Sequence, residues 1–392
     1  MDAKEIKQKR LEDTFQFRKA DRIPTLIFTQ GWSYDYAGVR RKDVIHDPAA
    51  CAMAATKYLD DFDIDMSAFN DVALPVLQAL GCTNYYWAPN GSSVQHAQAN
   101  DCFSTPDKYD AYIANPMGYL QNDALKLRVP AFRLPKEQAY EALKDAANEA
   151  RYVGAINMLV AERFREKGVV NMFDAAGPLF FGPFTQIFDY FRGIKGALTD
   201  LRRCPQKVKD GCDAFMEQAA AVYGIKKTKE EVEASLAPGA LRMGMSILNA
   251  EGFLSPKQFE TYYMSYFRKY FGPYFEAGFT YFINGECDLR AIIDQFADLP
   301  KGAVCMMLCQ NHTEDLAPAL HGKQTVIGGI HMDDLRDRTE QECIDIAKRN
   351  IDTYGRDGGF VFAHNSLLMN GTDIKTENLK AVYEFVKEYG AN

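Results

Sequence analysis

The sequence predicts an α/β fold on a parallel sheet, with close to eight strand-then-helix units forming one (β/α)8 TIM barrel that carries additional N-terminal helices. Three observations carry this reading. Within residues 275–316 the apolar runs FTYFI and AVCMML are separated by a helix-like stretch, and short buried runs alternating with helices mark a parallel sheet. The unit then repeats, as QTVIGGI and GGFVFA. Each run also stops at residues able to do chemistry: Asn284-Gly285-Glu286-Cys287-Asp288, Cys309-Gln310-Asn311-His312, His331-Met332-Asp333 and His364-Asn365-Ser366. Parallel α/β folds keep their sites just beyond the carboxyl ends of the strands. Any one of these residues alone reads as an ordinary loop residue. Four successive strand ends carrying Glu, Cys, His and Asn read as a site.

Taken in order, residues 7–22 read as an amphipathic helix with Leu11, Phe15 and Phe17 on its apolar side, ended by Asp21-Arg22-Ile23-Pro24. The strand TLIF follows, then TQGWSYDYAGVRRKD, where Trp32, Tyr34 and Tyr36 crowd a glycine-containing turn. A helix begins after His46-Asp47-Pro48, and DIDMSAFNDVALPVLQALG supplies a strand ending near Asp71 and a helix stopped by Gly81. Residues 85–107 form a turn-rich, exposed excursion. Residues 135–167 are one long charged helix. Gly177-Pro178 and Gly182-Pro183 then fix a strand-end loop beside Phe180 and Phe181; an apolar wall and a simple packed loop are equal readings of it. Residues 206–237 form a helical hairpin, and Ser255-Pro256 starts a helix as cap and first-turn proline. There is no short-period repeat and no linker, so residues 1–392 read as a single domain.

Composition narrows the function classes. Hydrophobic content of 47% and charged content of 25% suit a globular chain with a large core. No apolar stretch approaches the ~20 residues that span a bilayer, and the polar start lacks a secretory pattern. A net charge of −8 argues against nucleic acid, which requires a clustered basic surface. Nine cysteines in no close-spaced framework suit a reducing cytoplasm. The simple cofactor fingerprints are missing: no GxGxxG, no phosphate loop, no HExxH and no GxSxG.

RKADRIP, AFNDVALPVLQALG, GPFTQIFDYFRGIKGALTDLRRCPQKV, EGFLSPKQFETYYMSYFRK and GTDIKTENLKAVYEFVKEYG, in that order and spacing, resemble the uroporphyrinogen decarboxylase superfamily over nearly the whole chain. The resemblance implies a barrel with its site at the carboxyl-end mouth. It also offers two chemistries. The decarboxylases carry an arginine-rich segment after the first strand; here that place reads FTQGWSYDYAGVR, although Asp71 matches their central Asp. Without that basic grip a substrate with eight carboxylates is disfavoured, and a decarboxylase-like carboxy-lyase stands as the alternative. The other branch comprises corrinoid-dependent methyltransferases, which exchange a methyl group with cobalt carried on a separate corrinoid protein.

Thiol-methylating members of that branch hold zinc through His-x-Cys and a later Cys, and this sequence instead has Asn284-Gly285-Glu286. A second alternative, a zinc-dependent methylcobalamin:thiol methyltransferase, would need an altered metal set of Glu286, Cys309 and His364. The best resemblance is to O-demethylase methyltransferases of anaerobic bacteria, acting on aryl methyl ethers such as veratrole or guaiacol. For help at the ether oxygen it points to Glu286, Asp71, His312 and His364 as candidates, with Trp32, Tyr34, Phe180 and Phe181 as an aromatic wall. It also implies a corrinoid (cobalamin) carrier protein as partner, leaving zinc and a homodimer open.

Overall fold

The computed structural model describes residues 2–69, 72–97 and 102–391. Eleven strands are present among them: β1 (Thr25–Thr29), β2 (Met66–Phe69), β3 (Tyr85–Trp87), β4 (Val94–His96), β5 (Val170–Asn171), β6 (Leu179–Phe181), β7 (Met243–Leu248), β8 (Thr280–Gly285), β9 (Val304–Leu308), β10 (Thr325–Ile330) and β11 (Phe360–His364). Nine of them make one parallel sheet in the order β5-β2-β1-β11-β10-β9-β8-β7-β6, while β3 and β4 pair as a separate antiparallel hairpin.

The sheet curls on itself. Leu26 and Phe28 of β1, Met66 and Ala68 of β2, Met243 and Met245 of β7, Phe282 of β8, Cys305 and Met307 of β9, and Val361 and Ala363 of β11 share one interior cluster. The Phe28 and Phe282 rings meet edge to face across it at 6.2 Å. The expected closed eight-stranded barrel needs correction, because there are nine strands and the hydrogen-bonded ring is open between β5 and β6. Those two edges are consecutive in the chain, joined by residues 172–178. Seven residues are too few for a parallel crossover, which takes a dozen or more. The stretch therefore acts as one interrupted stave, with β5 on β2 and β6 on β7. Between them the Ala176 and Gly177 amides donate to the Leu241 and Met243 carbonyls.

The amino end of the sheet is closed by the helix Ala3–Phe15, which starts at a capping box on Asp2 and places Leu11 and Phe15 in the interior cluster. It is shorter than expected: the chain turns at Phe17, whose φ is +54°. The RKADRIP segment, residues 18–24, serves this end. Asp65, fully buried, receives Arg10, Arg22 Nη1 at 3.1 Å and the Thr25 amide at 2.8 Å.

Most helices fall where expected, including Pro48–Thr56 capped by Asp47, Lys136–Glu166, and the helix begun by the Ser255/Gln258 capping box. Two regions differ. Residues Gly31–Tyr36 form a short helix rather than a turn. The excursion at 85–97 folds back as the β3–β4 hairpin instead of standing free: Ser92, Ser93 and Val94 are buried, Val94 N–H donates to Gln30 Oε1, and Ser93 Oγ donates to the Met369 carbonyl. Among the described residues no helix is long and apolar enough to cross a membrane.

Candidate active site at the carboxyl-end mouth

Strands β8, β9, β10 and β11 are adjacent and parallel, so the residues that follow them gather on one rim, as expected. Alternation along each strand decides which side chains face inward. Phe282 lies in the interior cluster, so Asn284 and Glu286 continue its register; Cys305 and Met307 lead likewise to Cys309.

These three residues form a hydrogen-bonded chain. Cys309 Sγ donates to Asn284 Oδ1 at 3.0 Å, and Asn284 Nδ2 donates to Glu286 Oε1 at 2.8 Å. The loops are tied above them: Gln310 Nε2 donates to the Glu286 carbonyl at 2.7 Å, Asn365 Nδ2 to the Cys309 carbonyl at 2.5 Å, and the Met332 amide to Asn365 Oδ1 at 2.8 Å. Glu286 is exposed just past the end of β8. Desolvation first, and the charge of Asp189 second, push its pKa above the ordinary carboxyl value, against the Asn284 hydrogen bond. Burial and the Glu286 charge push the Cys309 thiol up, so it is a neutral S–H.

The far side of the mouth adds residues that the sequence reading passed over. Glu251, two residues past Asn249 at the end of β7, is fully buried without a cationic partner among the described residues. Thr185 Oγ1 lies 2.6 and 2.8 Å from its two oxygens, and the Asn249 amide donates to Oε2 at 3.0 Å. Gly182 is required beside it, since a Cβ there would come within 2.5 Å of Oε1. Asn249 Nδ2 also reaches Asp189 Oδ2 at 3.4 Å. Burial raises the Glu251 carboxyl from 4.5 to about 7, the Thr185 bond opposing.

That shift predicts a pH dependence. A carboxyl whose folded pKa is raised binds its proton more tightly when folded. Its contribution is therefore fully present below about 4.5 and is lost as pH rises towards and past about 7. Glu251→Gln keeps the acceptor for Thr185 and removes the titration. Urea unfolding should show the variant gaining on wild type by on the order of 2–3 kcal/mol between pH 5 and pH 8. Equal gaps at both pH values would show that Glu251 does not titrate in this range.

The other sequence candidates are distributed as follows. His312 lies on the rim with its ring stacked on His331 at 4.3 Å, and its Nδ1 is 3.7 Å from Asp334 Oδ2. Burial and the neighbouring His312 lower the pKa of His331. Asp71 falls outside the described residues. The aromatic wall is not formed by three of its four expected members. Trp32 is fully buried among Tyr36, Tyr58 and Phe62; Tyr34 is buried with its hydroxyl 3.3 Å from Cys51 Sγ; Phe180 packs on Tyr263, Phe267 and Phe271. Only Phe181 is partly open, beside a cavity of about 180 Å³ that it shares with Gln186 and Tyr190.

His364 does not face the mouth with Glu286 and Cys309. Phe360 and Phe362 pack in the helix-side cluster while Val361 and Ala363 face the interior, so alternation sends His364 outward and Asn365 inward. His364 Nε2 accepts the Phe28 amide at 3.2 Å and Nδ1 donates to the Ser366 carbonyl at 2.7 Å, which leaves neither nitrogen free. Burial lowers its pKa to about 4. Among the described residues no three His, Cys, Asp or Glu side chains are arranged to hold a metal. Glu286, Cys309 and His364 as arranged therefore do not fit zinc.

Comparison with known proteins gives the fold class independently. A solved structure described as a methyltransferase from Methanosarcina mazei matches over 98% of this chain and 98% of its own, with a TM-score of 0.61 at 14% sequence identity. At that identity the likeness is one of fold: a curled, barrel-like α/β architecture of the kind a methyltransferase uses. No protein-family model and no curated protein matches the sequence.

Proposed function

We propose that the protein is a corrinoid-dependent methyltransferase that cleaves an aryl methyl ether of the veratrole or guaiacol type and passes the methyl group to cobalt(I) of a separate corrinoid protein. The observation that supports this most is Glu286: a carboxyl at the end of β8, open to the mouth and held above its ordinary pKa by burial and Asp189. An aryl ether is a poor methyl donor because its leaving group is a phenolate, so the step depends on help at the departing oxygen. The cobalt(I) electron pair forms the cobalt–carbon bond, and the carbon–oxygen pair leaves with the ring oxygen. The Glu286 proton goes to that oxygen, leaving a carboxylate and a neutral phenol.

The segment after β1 bears on the decarboxylase alternative. Residues Gly31–Tyr34 are buried in a short helix with no arginine among them. Clustered arginines, which would grip several carboxylates bidentately, are not offered there.

The test is to supply the purified protein with a reduced corrinoid carrier and a panel of aryl methyl ethers, and in parallel with uroporphyrinogen. Consumption of cobalt(I) with release of the phenol is the expected result. Formation of coproporphyrinogen, with no methyl transfer, would move the protein to the decarboxylase branch.

A further inference from the structure

The chain that ends on Glu286 has a direction. Both donors in it point the same way: the Cys309 thiol to Asn284 Oδ1, and the Asn284 amide to Glu286 Oε1. An asparagine amide can be reversed by rotation: an ionised carboxylate accepts only from its nitrogen, but a protonated carboxyl, the acid form of Glu286, can donate or accept and leaves the choice to the other neighbour. Here the thiol chooses. Because S–H is a donor, it takes the oxygen of Asn284 and leaves the nitrogen for Glu286. Among the described residues no group binds Glu286 Oε2. One carboxyl oxygen is thus anchored and the other is left to carry a proton into the mouth.

We infer that Cys309 is a positioning residue: a neutral thiol, not a metal-bound thiolate, that sets the orientation of the Asn284 amide and through it which oxygen of Glu286 faces substrate. Hydrogen bonds aligned head to tail polarise one another in the same sense. Cys309 touches no substrate in this scheme; its effect passes through Asn284. The consequence for catalysis rests on the proposed role of Glu286, whereas the protonation and bonding of the thiol do not.

Infrared spectroscopy separates the two. The S–H stretch lies in a window clear of other protein bands, and the difference between wild type and Cys309→Ala isolates this thiol from the other eight cysteines. The band should be that of a hydrogen-bonded thiol, should persist when zinc is added alone, and should move to an unbonded position in Asn284→Leu. Absence of the band, or its loss on adding zinc, would mean a thiolate ligand and overturn the inference, as would an unbonded band in wild type. If Asn284→Leu does not fold, the wild-type band and its response to zinc still decide.

Kinetics then test the consequence with guaiacol as methyl donor. Cys309→Ala should lower kcat about tenfold, on the order of one hydrogen bond lost from the chain that holds Glu286, with KM unchanged. Cys309→Ser, which keeps a donor, should restore most of it. Equal rates for the alanine and serine variants, or an effect confined to KM, would remove the positioning role even if the thiol band is as described. Absence of methyl transfer in wild type would instead count against the proposed function and leave the infrared result standing.

Discussion

Replacing Glu286 by glutamine is expected to cut methyl transfer to cobalt(I) by ~10²–10⁴-fold, the usual contribution of a positioned general acid. The two side chains have the same shape, and glutamine Oε1 can still accept from Asn284 Nδ2, which now lies 2.8 Å from the carboxyl. Glu286 is exposed and has no ionic partner among the described residues, so stability should change little. The loss should appear in kcat and in kcat/KM together, because the proton is delivered only as the bond breaks. In wild type the rate should also fall as pH rises through the raised pKa of Glu286, since the protonated form does the work. A Gln variant within a few-fold of wild type would move the acid elsewhere on the mouth. His312, on the rim, and Asp71 would then be examined.

Trp32→Ala is the largest expected effect on stability. Sequence reasoning placed Trp32 in an aromatic wall around substrate; the structure buries it fully in an aromatic group, with ring centroids 5.1 Å from Tyr36, 6.0 Å from Tyr58 and 6.3 Å from Phe62. Removing a buried indole forfeits its transfer energy and leaves a cavity, together about 3–5 kcal/mol. Denaturant titration should show a loss of that size, and protein that remains folded should keep its KM. A raised KM with an unchanged unfolding midpoint would restore Trp32 to the substrate wall.

How much of this was legible in the sequence follows from how strongly each feature is encoded locally. The four rim strands were, because β8 to β11 are short apolar runs separated by helices and each stops at polar residues. The inward register of those strands was not. A parallel strand covered on both faces is apolar throughout and shows no alternation to read, so nothing in FVFAHN says whether His364 or Asn365 turns inward. The ninth strand was hidden by the Gly-Pro steps, which read as a loop but leave room for the three residues of β6 between them. Gly31–Tyr36 read as a turn because of its glycine, and folds as a helix whose first four residues are buried. Glu251 was within reach. It stands just past a strand end, in MSILNAEGF, by the same rule that singled out Glu286. Asp189 lies inside a helical stretch, Ile187–Arg192, and only tertiary packing brings it near Glu286.

The most direct test of the account is a single-turnover experiment with veratrole labelled with carbon-13 in its methyl groups, a reduced corrinoid carrier protein, and either wild type or Glu286→Gln. The label is expected to move to cobalt with release of one guaiacol per cobalt(I) consumed, and the variant to form the same products far more slowly. Label that stays on the ether with wild type present, or transfer at the same rate by the variant, would contradict it.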